Sequence, residues 1–179
     1  RLSLVGSEMC IRDRLKAARN NVDAFSALLD QVDAIISTAS GCGVTVKDYG
    51  RLLADDPTYA DRAARVAAAT LDVSEYLTNY ASRLTLRFPG KRIAWHPPCS
   101  LQHGQQIEGS VEALLQDAGY ELLPVMDAHL CCGSAGTYSV LQPQWSAQLA
   151  TTSYKRFISI SPISSRRPMW AAKPTWPTA

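Results

Sequence analysis

The feature that most constrains the fold is a repeated order of short strand, cysteine-bearing turn and helix. The predicted strands are the short apolar segments at residues 32–37, 92–96 and 120–125. Cys42 follows the first strand, Cys99 the second, and Cys131-Cys132-Gly133 the third. In open α/β sheets, functional sites collect at the carboxyl ends of the strands. The order therefore predicts an α/β fold whose loops present several thiols to a shared site.

Three other segments have the spacing of apolar residues, in steps of three and four, that is typical of helices. These segments are residues 15–30, 59–76 and 107–118. Gly119 is well placed to end the third helix as a C′ glycine. Residues 79–91, which include a Pro-Gly pair, are predicted to form a linker.

Composition excludes several classes of function. A chain of 179 residues fits one domain or two small lobes, and its net charge of +2 offers no broad basic surface for nucleic acid. No apolar run approaches the ~20 residues that a membrane helix needs. Five cysteines, two of them adjacent, make a poor disulfide framework. We therefore expect a cytoplasmic protein without a transmembrane segment, whose cysteines serve a metal or a reaction.

The residues around the adjacent cysteines favour a metal cluster. Thiolate sulfur is a soft ligand that suits iron–sulfur clusters or zinc. Side chains of adjacent cysteines point apart in an extended segment, so Cys131 and Cys132 hold two irons of a larger cluster more easily than one tetrahedral ion. Gly133 lets the backbone approach closely and donate amide hydrogens to sulfur, as Gly136 also would.

Other interpretations stay open at this point. A zinc site more typically contains Cys-x-x-Cys pairs, and the sequence contains none. Their absence also disfavours a catalytic thiol pair in disulfide exchange. Cys42 taken alone is as well explained as a small core residue.

Four segments carry a resemblance to a known family. Residues 18–24, 38–50, 96–103 and 129–138 resemble the iron–sulfur subunit of bacterial glycolate oxidase, within its two cysteine-rich CCG repeats. Heterodisulfide reductase contains the same module in one of its subunits. The resemblance runs from about Leu15 to Leu149 and covers only the latter part of the family's protein. The ferredoxin-like region and the Cys-Cys-Gly of the first repeat are absent, so the resemblance implies two related repeats around small parallel sheets, incomplete at both ends.

The resemblance also implies a role and a ligand set. The family's subunit passes electrons from a flavin subunit, which carries FAD and oxidises glycolate to glyoxylate, toward a membrane quinone acceptor. It is not catalytic alone, and it lies in the cytoplasm or peripherally at the inner membrane. Cys42 would close the first repeat, while Cys99, Cys131 and Cys132 would open the second around a cluster of 4Fe–4S type. The alternative is a zinc-binding or structural docking module of a related lactate oxidoreductase complex.

The two ends of the chain lack the order of strand, cysteine-bearing turn and helix. Residues 1–14 resemble translated sequencing-adapter DNA or an ordinary disordered tail, residues 15–90 form the end of the first repeat with a linker helix, and residues 91–149 form the second repeat. Residues 150–179 have no helical or strand period. A one-base deletion near Leu149 explains them, because regrouped codons permit the Gly-Cys ending of the family. On this hypothesis the tail is disordered, the last ligand is lost, and the chain binds its cluster poorly because the thiolate set is incomplete.

Overall fold

The structure is a computed structural model that describes residues 2–80, 88, 90–134 and 138–160. Side chains are described from Arg12 to Arg156 within these ranges. The chain divides into two compact units, Arg1–Leu122 and Leu123–Ala179.

The first unit combines short helices with two small sheets. Its elements in chain order are α1 (Leu2–Ser26), β1 (Ile35–Ser37), α2 (Ser40–Lys47), α3 (Tyr49–Leu52), α4 (Ala60–Ala69), β2 (Thr70–Asp72), α5 (Val73–Asn79), β3 (Arg92–Ala94), a π-helical segment (Ser100–Gly104), α6 (Ser110–Asp117) and β4 (Glu121–Leu123). Strands β1 and β2 pair in parallel, with Ile36 opposite Leu71, and β3 pairs with β4. The boundary between the units falls within β4. The predicted α/β class is confirmed.

The second unit contains the Cys131-Cys132-Gly133 sequence and two helices. A segment without regular structure follows β4 and carries the two cysteines. Helices α7 (Tyr138–Leu141) and α8 (Pro143–Ile160) come after it. Pro143 occupies the first position of α8, where proline's missing N–H costs no helical hydrogen bond.

The core of the first unit lies between α1, α3 and α4. Ala18 and Val22, four residues apart on α1, are fully buried, as are Ala63 and Val66 on α4. Gly50 allows the close approach of α3 to α4, because a Cβ there would lie 3.3 Å from the Ala64 Cα. The predicted apolar stripe that begins at residue 15 thus faces the core.

The predicted long helix over residues 59–76 is wrong. The structure divides it into α4, β2 and α5, because residues 70–72 form the parallel partner of β1. Asp72 then caps α5: its carboxylate accepts from the Ser74 N–H at 2.9 Å, while Glu75 accepts from the Asp72 N–H at 2.7 Å. This capping box was visible in the sequence as the Asp-x-x-Glu spacing. The sequence did not indicate that the helix ends at Ala69, because the spacing of apolar residues continues from the alanines of α4 to Leu71.

Both ends of the described chain are more regular than the sequence pattern indicated. Helix α1 begins at Leu2 rather than at residue 15, as a helix extends at little cost once it has formed. Helix α8 continues through Leu149 to Ile160 over residues such as Ala147, Gln148 and Leu149, which favour helix. Residues 161–179 lie outside the described residues. The adapter and reading-frame hypotheses therefore stay predictions.

The end of α6 confirms one local prediction. Gly119 has φ +90°, its N–H donates to the Gln116 carbonyl at 2.8 Å, and the Tyr120 N–H donates to the Leu115 carbonyl at 3.0 Å. This pair of bonds is the Schellman motif that a C′ glycine allows. Each of the three predicted strands is present, although each is only three residues long. Of the predicted linker, residues 81–87 and 89 lie outside the described part of the chain.

Candidate metal centre

Cys42 lies in the first turn of helix α2 and is exposed to solvent. The sequence predicted a turn over residues 38–43, and that is wrong from Ser40 onward. The Gly43 N–H donates to the Ala39 carbonyl at 2.9 Å, which begins the helix directly after β1. Cys42 therefore follows a strand end as expected, but a helix rather than a loop presents it.

Cys99 is half-buried and precedes the π-helical segment. The Pro98 carbonyl accepts from the N–H groups of Leu101 at 2.9 Å and Gln102 at 3.1 Å, and the Gln102 amide donates to the Pro97 carbonyl at 3.1 Å. The carbonyls of the two prolines thus accept the hydrogen bonds that begin the tight turn after Cys99. We did not predict the π-helical segment, although such segments are frequent at functional sites.

Side chains join the Cys42 and Cys99 segments within the first unit. The hydroxyl oxygens of Ser40 and Ser100 lie 2.6 Å apart. The Gln105 amide donates to the Ser40 carbonyl at 3.0 Å and to the Asp72 carboxylate at 3.2 Å. Gln105 therefore connects the end of β2 to α2 and to the π-helical segment. Sequence reasoning missed all four of these residues, because nothing in the local sequence indicates that they meet.

Asp72 is the buried anchor of this connection, only 4% exposed. One carboxylate oxygen accepts from the Ser74 N–H and, at 2.7 Å, from the Ser74 hydroxyl, while the other accepts from Gln105. Both oxygens are therefore hydrogen-bonded to protein groups. Asp72 supports the site rather than offering a free ligand.

An apolar cavity of about 510 Å³ lies beside these segments in the first unit. Its wall consists mostly of leucine, valine and aromatic side chains, with Thr38, Ser40 and Asp72 at the ends of β1 and β2. Pro98 and Leu101 contribute from the second cysteine segment. None of the described cysteines lines the cavity, so the structure does not connect it with the thiols.

The Cys131-Cys132-Gly133 sequence forms a turn in the second unit. Both cysteines are half-buried, and the Gly133 N–H donates to the Cys131 sulfur at 3.3 Å. Gly133 is buried with φ +86°, a backbone conformation that favours glycine. The Ser146 hydroxyl of α8 donates to the Gly133 carbonyl at 2.7 Å. Gly133 thus makes the close backbone approach that the sequence predicted, while Gly136 lies outside the described residues.

The four cysteines predicted as ligands do not form a complete ligand set within either unit. Among the described residues of each unit, no group of three or more His, Cys, Asp or Glu side chains is placed to hold a metal ion. None of the four cysteines forms a disulfide. Their donor chemistry fits a soft metal, and Cys131 already accepts the backbone N–H that commonly tunes a metal-bound thiolate. Assignment of the ligands stays a prediction.

Comparison with known proteins shows what this chain is similar to. Residues 93–165 match the family described as CCG, cysteine-rich domain. The chain is 44% identical over 137 residues to the glycolate oxidase iron-sulfur subunit of Escherichia coli (strain K12), which covers 75% of this chain and 33% of that protein. The predicted resemblance to glycolate oxidase iron–sulfur subunits is confirmed.

Other relatives are more distant. The uncharacterized protein YkgE of the same organism is 31% identical over 154 residues, 85% of this chain and 63% of that protein. The lactate utilization protein A of Exiguobacterium sp. (strain ATCC BAA-1283 / AT1b) is 30% identical over 139 residues, 75% of this chain and 55% of that protein. The chain thus spans between one third and just under two thirds of these relatives' lengths. No solved structure matches it. None of the described helices is both long and apolar enough to cross a membrane.

Proposed function

We propose that this chain is an iron–sulfur electron-transfer subunit of glycolate oxidase. The observation that carries the proposal is the Cys131-Cys132-Gly133 turn, in which a backbone N–H already meets a thiol sulfur inside the cysteine-rich domain. The names of the relatives support an oxidoreductase complex that acts on glycolate or lactate. Glycolate is favoured because identity is 44% to the glycolate oxidase subunit and 30% to the lactate utilization protein.

In this proposal Cys99, Cys131 and Cys132 hold a cluster of 4Fe–4S type, and Cys42 belongs to the neighbouring repeat. Such a cluster supplies a site that accepts and releases single electrons. The protein's own contribution is to hold the thiolates and to place the Gly133 N–H where it stabilises negative charge on sulfur. A flavin-containing partner subunit, with FAD, oxidises the 2-hydroxy acid, and electrons continue toward a quinone acceptor. The complex acts in the cytoplasm, at the inner face of the membrane.

Anaerobic reconstitution with iron and sulfide tests the metal. We expect iron–sulfur absorption bands and an EPR signal on reduction. Replacement of Cys131 or Cys132 by Ser should remove the iron, whereas Cys10→Ser should not. About one zinc per chain without iron–sulfur bands would instead favour the zinc-binding docking module.

A separate experiment tests the reading-frame hypothesis. The same reconstitution is repeated on a chain with one base restored at the codon of Leu149, after the source DNA has been resequenced. Iron uptake only by the restored chain would show that the last ligand lies in the other frame. No iron in either chain would overturn the proposed function.

Co-purification tests the partner and the substrate. We expect the tagged chain to retain a flavoprotein that reduces a dye with glycolate. A panel of 2-hydroxy acids then decides between glycolate and lactate, and a preference for lactate would correct the substrate while preserving the electron-transfer role.

A further inference from the structure

We propose that Ser146 is a positioning residue that fixes the Cys131-Cys132-Gly133 turn and thereby sets the reduction potential of a cluster held there. The inference rests on the proposed function for its redox part. Its geometric part stands on the hydrogen bond from the Ser146 hydroxyl to the Gly133 carbonyl.

Ser146 differs from the other hydroxyl residues on α8. Thr151 and Thr152 direct their hydroxyls to carbonyls four residues earlier on the same helix, at 2.8 and 2.9 Å. This is the ordinary behaviour of Ser and Thr within a helix. The Ser146 hydroxyl instead reaches a carbonyl 13 residues away, while its own N–H keeps the helical bond to Gln142 at 3.0 Å. The hydroxyl therefore serves the turn rather than the helix.

Gly133 has little room to move away from this contact. A Cβ at position 133 would collide with the Ser146 carbonyl oxygen and lie 3.2 Å from both the Ala150 nitrogen and the Leu149 Cβ. The backbone of the turn thus rests directly on α8. The carbonyl and the N–H of Gly133 lie in neighbouring peptide planes that meet at its Cα. By holding the carbonyl plane, Ser146 restricts φ and ψ of Gly133 and thereby the orientation of the plane whose N–H meets the Cys131 sulfur.

The redox consequence follows from charge. A cluster held by these thiolates would gain negative charge on reduction, and an N–H bond to sulfur would stabilise that charge. A turn that keeps this N–H aimed at Cys131 would therefore raise the potential. Loss of the Ser146 hydroxyl lets the N–H turn away and lowers the potential.

The test compares Ser146→Ala, Ser146→Thr and the matched control Thr151→Ala in the reconstituted chain. Potentiometric titration followed by EPR should show a lower midpoint potential for Ser146→Ala alone, with Ser146→Thr close to wild type because it keeps the hydroxyl. A merely structural serine would lower the melting temperature and leave the potential unchanged, and that result would overturn the inference.

A second measurement needs no cluster. Amide hydrogen exchange at Gly133 in the metal-free chain should be about fivefold faster in Ser146→Ala, the factor expected when one hydrogen bond of ordinary strength is lost. Thr151→Ala should leave the exchange rate at Gly133 unchanged. Equal rates in wild type and Ser146→Ala would overturn the positioning role. This measurement does not depend on metal. It can therefore show that the positioning role of Ser146 is wrong even if the chain binds no cluster, and that the role is right even if the proposed function is wrong.

Discussion

The two units hold their cysteine segments in different ways. In the first unit, the Cys42 and Cys99 segments are joined by side chains, through the Ser40–Ser100 hydroxyl pair and the Gln105 amide. In the second unit, the turn is held through backbone atoms of Gly133. Cys42 lies within a helix and Cys99 precedes a helical segment, so most backbone groups there bond within the helix. Side chains therefore make the connection, one of them by donating to the Ser40 carbonyl. The second turn has no regular structure, and its backbone groups remain available.

The two units should therefore differ in how strongly a single substitution destabilises them. The first unit has several side-chain connections, so a substitution that removes one of them leaves the others in place. The backbone connection depends on one residue whose conformation and lack of a Cβ are both required. The largest effects of substitution should therefore occur in the second unit.

Gly133→Ala should give the largest effect. Alanine at φ +86° is strained, and its Cβ would collide with α8. We expect a loss of at least about 2 kcal/mol in the free energy of unfolding, measured with urea, together with loss of iron uptake.

Gly90→Ala is the matched control for strain alone. Gly90 has a similar φ of +75°, but a Cβ at this position would have no described atom within 4 Å. The substitution should cost about 1 kcal/mol. Equal costs for the two substitutions would show that contact with α8 does not hold the turn.

Gln105→Leu should give the next largest effect. The substitution removes the donor to the Ser40 carbonyl and leaves the buried Asp72 carboxylate without one of its hydrogen bonds. Hydrogen bonds to charged groups contribute about 1.5–3 kcal/mol, and urea unfolding should show a loss in that range. Gln116→Leu, on the exposed surface of α6, is the control. If the two variants unfold at the same urea concentration, Gln105 does not connect the segments.

The Ser40–Ser100 pair should give a smaller effect that is shared between its members. Each single substitution by Ala should cost about 1 kcal/mol, and the double variant should cost less than the sum of the two. We expect a coupling energy of at least about 0.5 kcal/mol from a double-mutant cycle. Strict additivity would mean that the 2.6 Å contact contributes nothing to the connection.

Local patterns in the sequence predicted many of the helices and strands, but few of the hydrogen bonds that connect the cysteine segments to the rest of the chain. The apolar stripe of α1, the strand ends near the cysteines and the C′ glycine at Gly119 each depend on a few neighbouring residues, so a pattern indicates them. Gln105 meets Ser40 across 65 positions, and Ser146 meets Gly133 across 13. Strand β2 has three residues and exists because β1 pairs with it. Such contacts arise from tertiary packing, which no local pattern records.

The smallest effect should come from a surface ion pair away from both cysteine regions. Arg19 donates to the Asp56 carboxylate at 2.8 Å, and this hydrogen bond is the main reason that the pKa of Asp56 is lowered. A lowered pKa stabilises the folded chain above the unfolded pKa of about 3.9. That contribution disappears as the pH falls through the folded value. Arg19→Gln should therefore lower the urea midpoint slightly at pH 7 and not at all at a pH low enough to protonate Asp56 in the folded chain.

Urea unfolding at pH 7 and at low pH also tests how the turn of the second unit is held. The cost of Gly133→Ala is steric, so it should be the same at pH 7 and at low pH. A pH-dependent cost at Gly133 would mean that ionised groups, rather than contact with α8, hold the second turn. Urea unfolding of Gly133→Ala and Arg19→Gln at both pH values thus separates backbone contact from surface charge in one experiment.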